Sequence, residues 1–103
     1  MSVRMPSNFG RLGAQESALD LLGHEILAEK AAALGRAGQR VEETLAKLRE
    51  NGEGEHRNRL LKAAAEAVHG YFIQRELCGL RKHDAVIREY NIPRAVLVRL
   101  GAS

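Results

Sequence analysis

The feature that most restricts what this chain can become lies between residues 27 and 48. Leu27, Leu34, Val41 and Leu48 recur every seven residues, with Ala31, Gly38 and Leu45 between them at alternating steps of four and three. That spacing keeps one side of an α-helix apolar along its length, the pattern of a coiled-coil seam. Two inner positions are small, and Gly35 lies beside Gly38. Such a helix lets a partner approach closely or accepts a bulky side chain from it.

The seam predicts a helix from about residue 16 to about residue 51. Ser17 followed by Asp20 has the form of a capping box, the hydroxyl taking one free amide and the carboxylate another. Gly35 and Gly38 each cost a mid-helix segment about 1 kcal/mol relative to alanine. The apolar phase nonetheless passes through them unbroken, whereas a loop would reset it. One helix about 50 Å long follows. It should stop at Asn51-Gly52-Glu53-Gly54, because Asn and Gly readily take left-handed backbone angles. Residues 1–14 hold Pro6, Gly10 and Gly13 without periodicity and read as a mobile arm. Residues 15–103 read as a single helical domain.

A second helix is expected from about residue 55 to 80, with Leu60, Leu61, Ala64, Val68, Tyr71 and Phe72 on one face. Folding it back about the glycine turn sets Leu45 near Leu61, Gly38 near Val68, and Leu34 near Tyr71 and Phe72. Large residues then oppose small ones, as close packing requires. Ile73, Leu77 and Leu80 form a further apolar side that the tail should cover. In the tail, Asp84 is placed to cap a helix over about 84–90 that carries Val86 and Ile87. Pro93 suits the first turn of a helix over about 93–100 bearing Val96, Leu97 and Leu100.

The fold class is therefore all-α, a long antiparallel hairpin plus two short C-terminal helices. Composition agrees: the 103 residues include no Trp and two Pro, and are rich in Ala, Leu, Glu, Lys and Arg. The first helix also carries Leu19, Leu22, Ile26, Ala33 and Ala37 beside its seam, a stripe wider than one antiparallel neighbour covers. Two hairpins pairing into a dimeric four-helix bundle would close it. A homodimer is the expected assembly, a tetramer the open alternative.

Compartment follows from what the chain does and does not contain. The single cysteine permits no internal disulfide and suits a reducing cytoplasm. No stretch approaches the roughly twenty apolar residues a bilayer span requires. Arg4 has no apolar run behind it, so a secretory signal is not expected.

Chemical motifs compete poorly with plainer readings. Glu66 and His69 have the Glu-x-x-His spacing of carboxylate-bridged di-metal bundles, with Glu25 or Glu29 as further ligands in a dimer. At 100° per residue both fall well off the Leu61–Val68 face, where solvent should be. Glu53 and His56 repeat the spacing in a glycine turn that offers no rigid frame. His83-Asp84 resembles the dyad of helical phosphohydrolases, but His24, His56 and His69 supply no matching ligand pattern, and a helix cap explains the pair. Cys78 has no second cysteine and no adjacent base, so it reads as a small packed thiol. Gly35-Arg36-Ala37-Gly38 lacks the strand and the Lys-Ser/Thr ending of a phosphate loop. No cofactor and no catalytic residue is expected.

Two cations sit oddly. Lys30 and Arg75 project toward the apolar seam in this phasing, and the hairpin register brings them together. Like charges are not left buried and unpaired. They must reach the edge, meet carboxylates such as Glu29 or Glu76, or hold an acidic ligand.

The formal charge is +3, with the basic excess after residue 55. Basic residues Arg88, Arg94 and Arg99 around Asn91-Ile92-Pro93 loosely suggest a helix-turn-helix, so nucleic-acid binding is the alternative function. Against it, Ala95, Val96, Leu97, Val98 and Leu100 look committed to packing. The leading expectation is a non-enzymatic, self-associating helical interaction or scaffold protein.

The stretch from Glu29 to Gly38, taken with Asp84–Ile87 and Tyr90–Pro93, resembles small helical bacterial proteins of an uncharacterised family. That resemblance implies a helical fold and no particular chemistry.

Overall fold

The computed structural model describes residues 7–51 and 53–101, with side chains described from residue 17 onward. The chain divides between Ala31 and Ala32 into two compact units. It is all-helical, with no strand among the described residues. Four helices follow in order: α1 Ser7–Asn51, α2 Arg57–Leu77, α3 Asp84–Glu89 and α4 Arg94–Leu97.

Helix α1 is continuous through Gly35 and Gly38. It starts at Ser7, ten residues before Ser17, so the capping role read for Ser17 does not arise. Glycines at 10 and 13 weaken a helix without forbidding it. The sequence also continues its apolar spacing there, with Leu12, Leu19 and Ile26 seven residues apart. Of the residues read as a mobile arm, 1–6 lie outside the described residues.

The turn between α1 and α2 relies on Gly54, whose φ of 99° an L-residue side chain disfavours. The Arg57 amide donates back to the Gly54 carbonyl at 3.2 Å. Helix α2 ends three residues before the expected position, in a Schellman motif. The Leu80 amide donates to the Arg75 carbonyl at 2.8 Å around Gly79 at φ 87°. The same device ends α3. Asn91 takes φ 53°, and the Ile92 amide donates to the Ile87 carbonyl at 3.0 Å.

The short helices begin differently from the sequence reading. His83 occupies the N-cap of α3 without a side-chain capping bond, and Asp84 is its first residue. The Asp84 carboxylate thus acts through the helix dipole instead of through a cap bond. Pro93 is the N-cap of α4, with extended ψ of 148°. Helix α4 is one turn long, because residues 98–100 continue only as turn.

The core belongs to the second unit. Val41, Leu45 and Leu48 of α1 are buried with Leu61, Ala64, Ala65, Ala67, Val68 and Tyr71 of α2, and with Val86, Ile92 and Val96 of the tail. Helix α4 packs on α2. Near the N-terminal end of α2, an Arg99 Nη donates to Asn58 Oδ1 at 3.1 Å. An Arg49 Nη donates to the Tyr90 carbonyl at 2.9 Å, tying α1 to the end of α3.

Two packing expectations need correction. The tail does not cover Ile73, Leu77 and Leu80, which remain exposed. It turns instead to the hairpin core, where Val96 reaches zero exposure. The tail side chains find a deeper apolar surface there than the end of α2 offers, and burial scales with area removed from water. The side chains nearest Gly38 are two tyrosines, where the sequence reading named Val68. A methyl group at Gly38 would lie 3.1 Å from the Tyr90 hydroxyl and 3.4 Å from the Tyr71 ring. Two rings, one from α2 and one following α3, use the gap that the missing side chain leaves.

Candidate association surface

The side chains that the seam pattern brought together have two outcomes. Gly38, Val41, Leu45, Leu48, Leu61, Val68 and Tyr71 are buried, while Leu34 and Phe72 are half-buried against that core. Leu27 and Ala31, at the same seam spacing, are exposed. The seam therefore ends near Leu34 within the chain.

Among the described residues, five large exposed apolar side chains lie close together in the first unit. Leu19 is 66% exposed, Leu21 63%, Leu22 52%, Ile26 50% and Leu27 64%. At 100° per residue, Leu19, Leu22, Ile26 and Leu27 share one face with Gly23 between them, and Leu21 lies opposite. Four large aliphatic side chains on adjoining turns form a contiguous patch, the kind that marks an interaction surface on a folded protein. Asp20 borders this face on one edge and Glu25 and Glu29 on the other.

Within the second unit, α1 and α2 leave an open groove of about 360 Å³. Its floor is small residues, Ala33 and Ala37 of α1 with Ala67 and Gly70 of α2, and its rim includes Arg36, Arg40 and Gln74. Small side chains on two neighbouring helices leave room for branched aliphatic side chains from outside. Sequence reading identified Ala33 and Ala37 as excess stripe but missed the contribution of Ala67 and Gly70. The spacing of Ala67 and Gly70, three residues apart on one side of α2, was the available signal.

The polar candidates take definite places. Lys30 is exposed and does not enter the seam. Arg75 is half-buried and engaged within its own unit: its Nε donates to His83 Nδ1 at 3.1 Å, and an Nη donates to the Lys82 carbonyl at 2.8 Å. Its guanidinium carbon lies 5.9 Å from the Tyr71 ring centroid. Since Nδ1 of His83 accepts from Arg75, Nε2 carries the hydrogen that meets Glu76 Oε2 at 2.9 Å. The imidazole also stacks on Phe72 with centroids 4.1 Å apart. Both ring nitrogens are occupied, so His83 works as a clamp between the end of α2 and the start of α3.

The metal candidates Glu66 and His69 are exposed, as are Glu53 and His56. His56 Nδ1 lies 3.3 Å from an Arg59 Nη. Among the described residues no group of three or more His, Cys, Asp and Glu side chains is placed to share a metal ion. Cys78 is free and half-buried at the C-cap of α2. In the tail, Arg88 and Arg94 are exposed, Arg99 is bonded to Asn58, and Val96 is wholly buried. The single turn of α4 is thus spent on packing.

Tyr90 is the residue the sequence reading overlooked. Its ring meets Tyr71 edge-on, with centroids 5.6 Å apart and planes at 87°. Burial, reinforced by a hydroxyl hydrogen bond with Tyr71 and by the charges of Glu42 and Glu89, pushes the Tyr90 phenol up to about 12. A tyrosine directly after a short helix gives no periodic signal, so only the folded chain shows what it does.

The model of one protein family, a family of unknown function (DUF6665), matches residues 1–103. The chain belongs to that family. No curated protein and no solved structure matches this DUF6665 chain. Among its described residues, no helix is long and apolar enough to cross a membrane.

Proposed function

We propose that this DUF6665 chain works by association, as a cytoplasmic helical interaction module that pairs with a second copy of itself, and not by catalysis. The observation that carries the reading is the apolar face of Leu19, Leu22, Ile26 and Leu27, all half or more exposed. Moving one such side chain fully out of water is worth about 1.5–3 kcal/mol, and these retain at least half of that. Together they supply several kcal/mol toward a partner, to be set against the entropy of association. A second copy presents the same face, and closed pairs are the commonest solution for identical chains. The polar groups support a non-catalytic role: His83 and Arg75 are bonded to one another, and the remaining histidines are exposed.

Sedimentation equilibrium tests the reading. The expected mass at micromolar concentration is twice the 11.3 kDa of the chain. Leu22→Glu combined with Ile26→Glu should return it to the single-chain mass with helicity retained, because both side chains face solvent. A wild-type chain that stays single throughout that range removes the proposal.

A further inference from the structure

We infer that the face carrying Leu22 and Ile26 seats in the groove between α1 and α2 of the second copy, so that each chain gives one segment and receives another. This rests on the self-association proposed above and names the surface it uses. The donor segment is branched aliphatic and exposed; the acceptor is floored by Ala33, Ala37 and Gly70. Large side chains of one copy thus meet the small ones of the other, the complementarity that dense packing demands.

Spacing supports the same register. Leu22 and Ile26 are four residues apart, and so are Ala33 and Ala37. An antiparallel alignment that sets Ile26 against Ala33 of the second copy therefore sets Leu22 against its Ala37. Both pairs form one turn apart on the contacting faces.

Charge selects the direction. On the donor face, Glu25 borders the aliphatic stripe on the edge that also holds Leu22. The groove's basic rim, Arg36 and Arg40, lies on that same edge of α1. Antiparallel helices bring like edges together, so Glu25 approaches the basic rim of the other copy. Parallel helices would bring it instead to the edge bearing Asp20. Edge charges of this kind set orientation in paired helices.

The test uses full-length chains in a Cys78→Ser background, each carrying either Ile26→Cys or Ala33→Cys, mixed and oxidised. A disulfide between residue 26 of one chain and residue 33 of the other should dominate over both like-with-like products. In parallel, Gly70→Leu fills the groove, where an added Cβ meets nothing within 4 Å. It should weaken dimerisation by about tenfold or more, the scale of a truncated or blocked interface anchor. The thermal midpoint of the dissociated chain should rise, since a mid-helix glycine is replaced by leucine. A dominant disulfide between two copies of residue 26, or a Gly70→Leu dimer as tight as wild type, overturns the groove while leaving self-association intact. A wild-type chain of single mass overturns both.

Discussion

One helix carries the same apolar spacing into two different environments. Val41 has no exposed surface, whereas Leu27, two heptads earlier, is 64% exposed. The difference is not in helix formation, since α1 includes both residues, nor in the seven-residue spacing, which runs unbroken from Leu27 to Val41. It lies in what the chain has available as cover. Around Val41, α2 and the tail supply Leu61, Val68, Val86, Ile92 and Val96. Leu19, Leu22, Ile26 and Leu27 have no such cover among the described residues. The same apolar spacing is thus buried in one stretch of the described residues and left exposed in the other.

Two substitutions sharpen or break that contrast. The largest effect belongs to the covered part: Leu45→Ala should cost about 2–5 kcal/mol, the range for emptying a buried leucine site. Leu27→Ala should leave the dissociated chain within about 0.5 kcal/mol of wild type, as exposed substitutions do. Urea unfolding below the association range measures both. If the two losses are equal, residues 17–31 are covered after all and the contrast fails.

The paired glycines come next. Gly35→Ala meets nothing within 4 Å and should stabilise by about 0.5–1 kcal/mol. Gly38→Ala places a methyl group against Tyr90 and Tyr71, and overpacking of about 1–3 kcal/mol should outweigh the same propensity gain. Adding Tyr90→Phe removes the hydroxyl 3.1 Å away and should recover part of the loss. Thermal midpoints of the three chains, compared with wild type, decide it.

A smaller effect appears only at high pH. The Tyr90 phenol is raised from 10.0 to about 12 in the folded chain, so folding favours its protonated form. That contribution is fully present below pH 10 and should be lost as pH rises from 10 toward 12. Tyr90→Phe should flatten the urea midpoint across this window relative to wild type. A parallel decline in both chains would place the sensitive group elsewhere.

The smallest change is expected at the exposed polar candidates. Glu66→Ala and Lys30→Ala should each shift stability by no more than about 0.5 kcal/mol, in keeping with side chains that solvent surrounds. A large shift at either position would show that it meets a partner in the assembled form.

Much of the second unit could be read from residues alone. Val41, Leu45 and Leu48 facing Leu61 and Val68 follow from seven-residue spacing and a glycine turn. The all-helical class and the end of α3 near residue 90 follow from composition and backbone preferences. The candidate surface was half-visible: Leu19, Leu22, Ile26, Ala33 and Ala37 stood out as excess stripe. The groove that Ala67 and Gly70 complete did not, because small residues mark an absence of volume. An absence becomes a groove only when two helices lie side by side.

Periodicity and glycine placement, both local properties of the chain, determined which residues form helices and which side of each helix is apolar. Tertiary structure alone decided which apolar sides meet. It sent Val86, Ile92 and Val96 to the hairpin core instead of to Ile73 and Leu77, and it placed Tyr90 over Gly38. The physical reason is that hydrophobic attraction has no direction. Several covers are open to the same greasy face, and the close fit of rings into small-residue gaps selects among them.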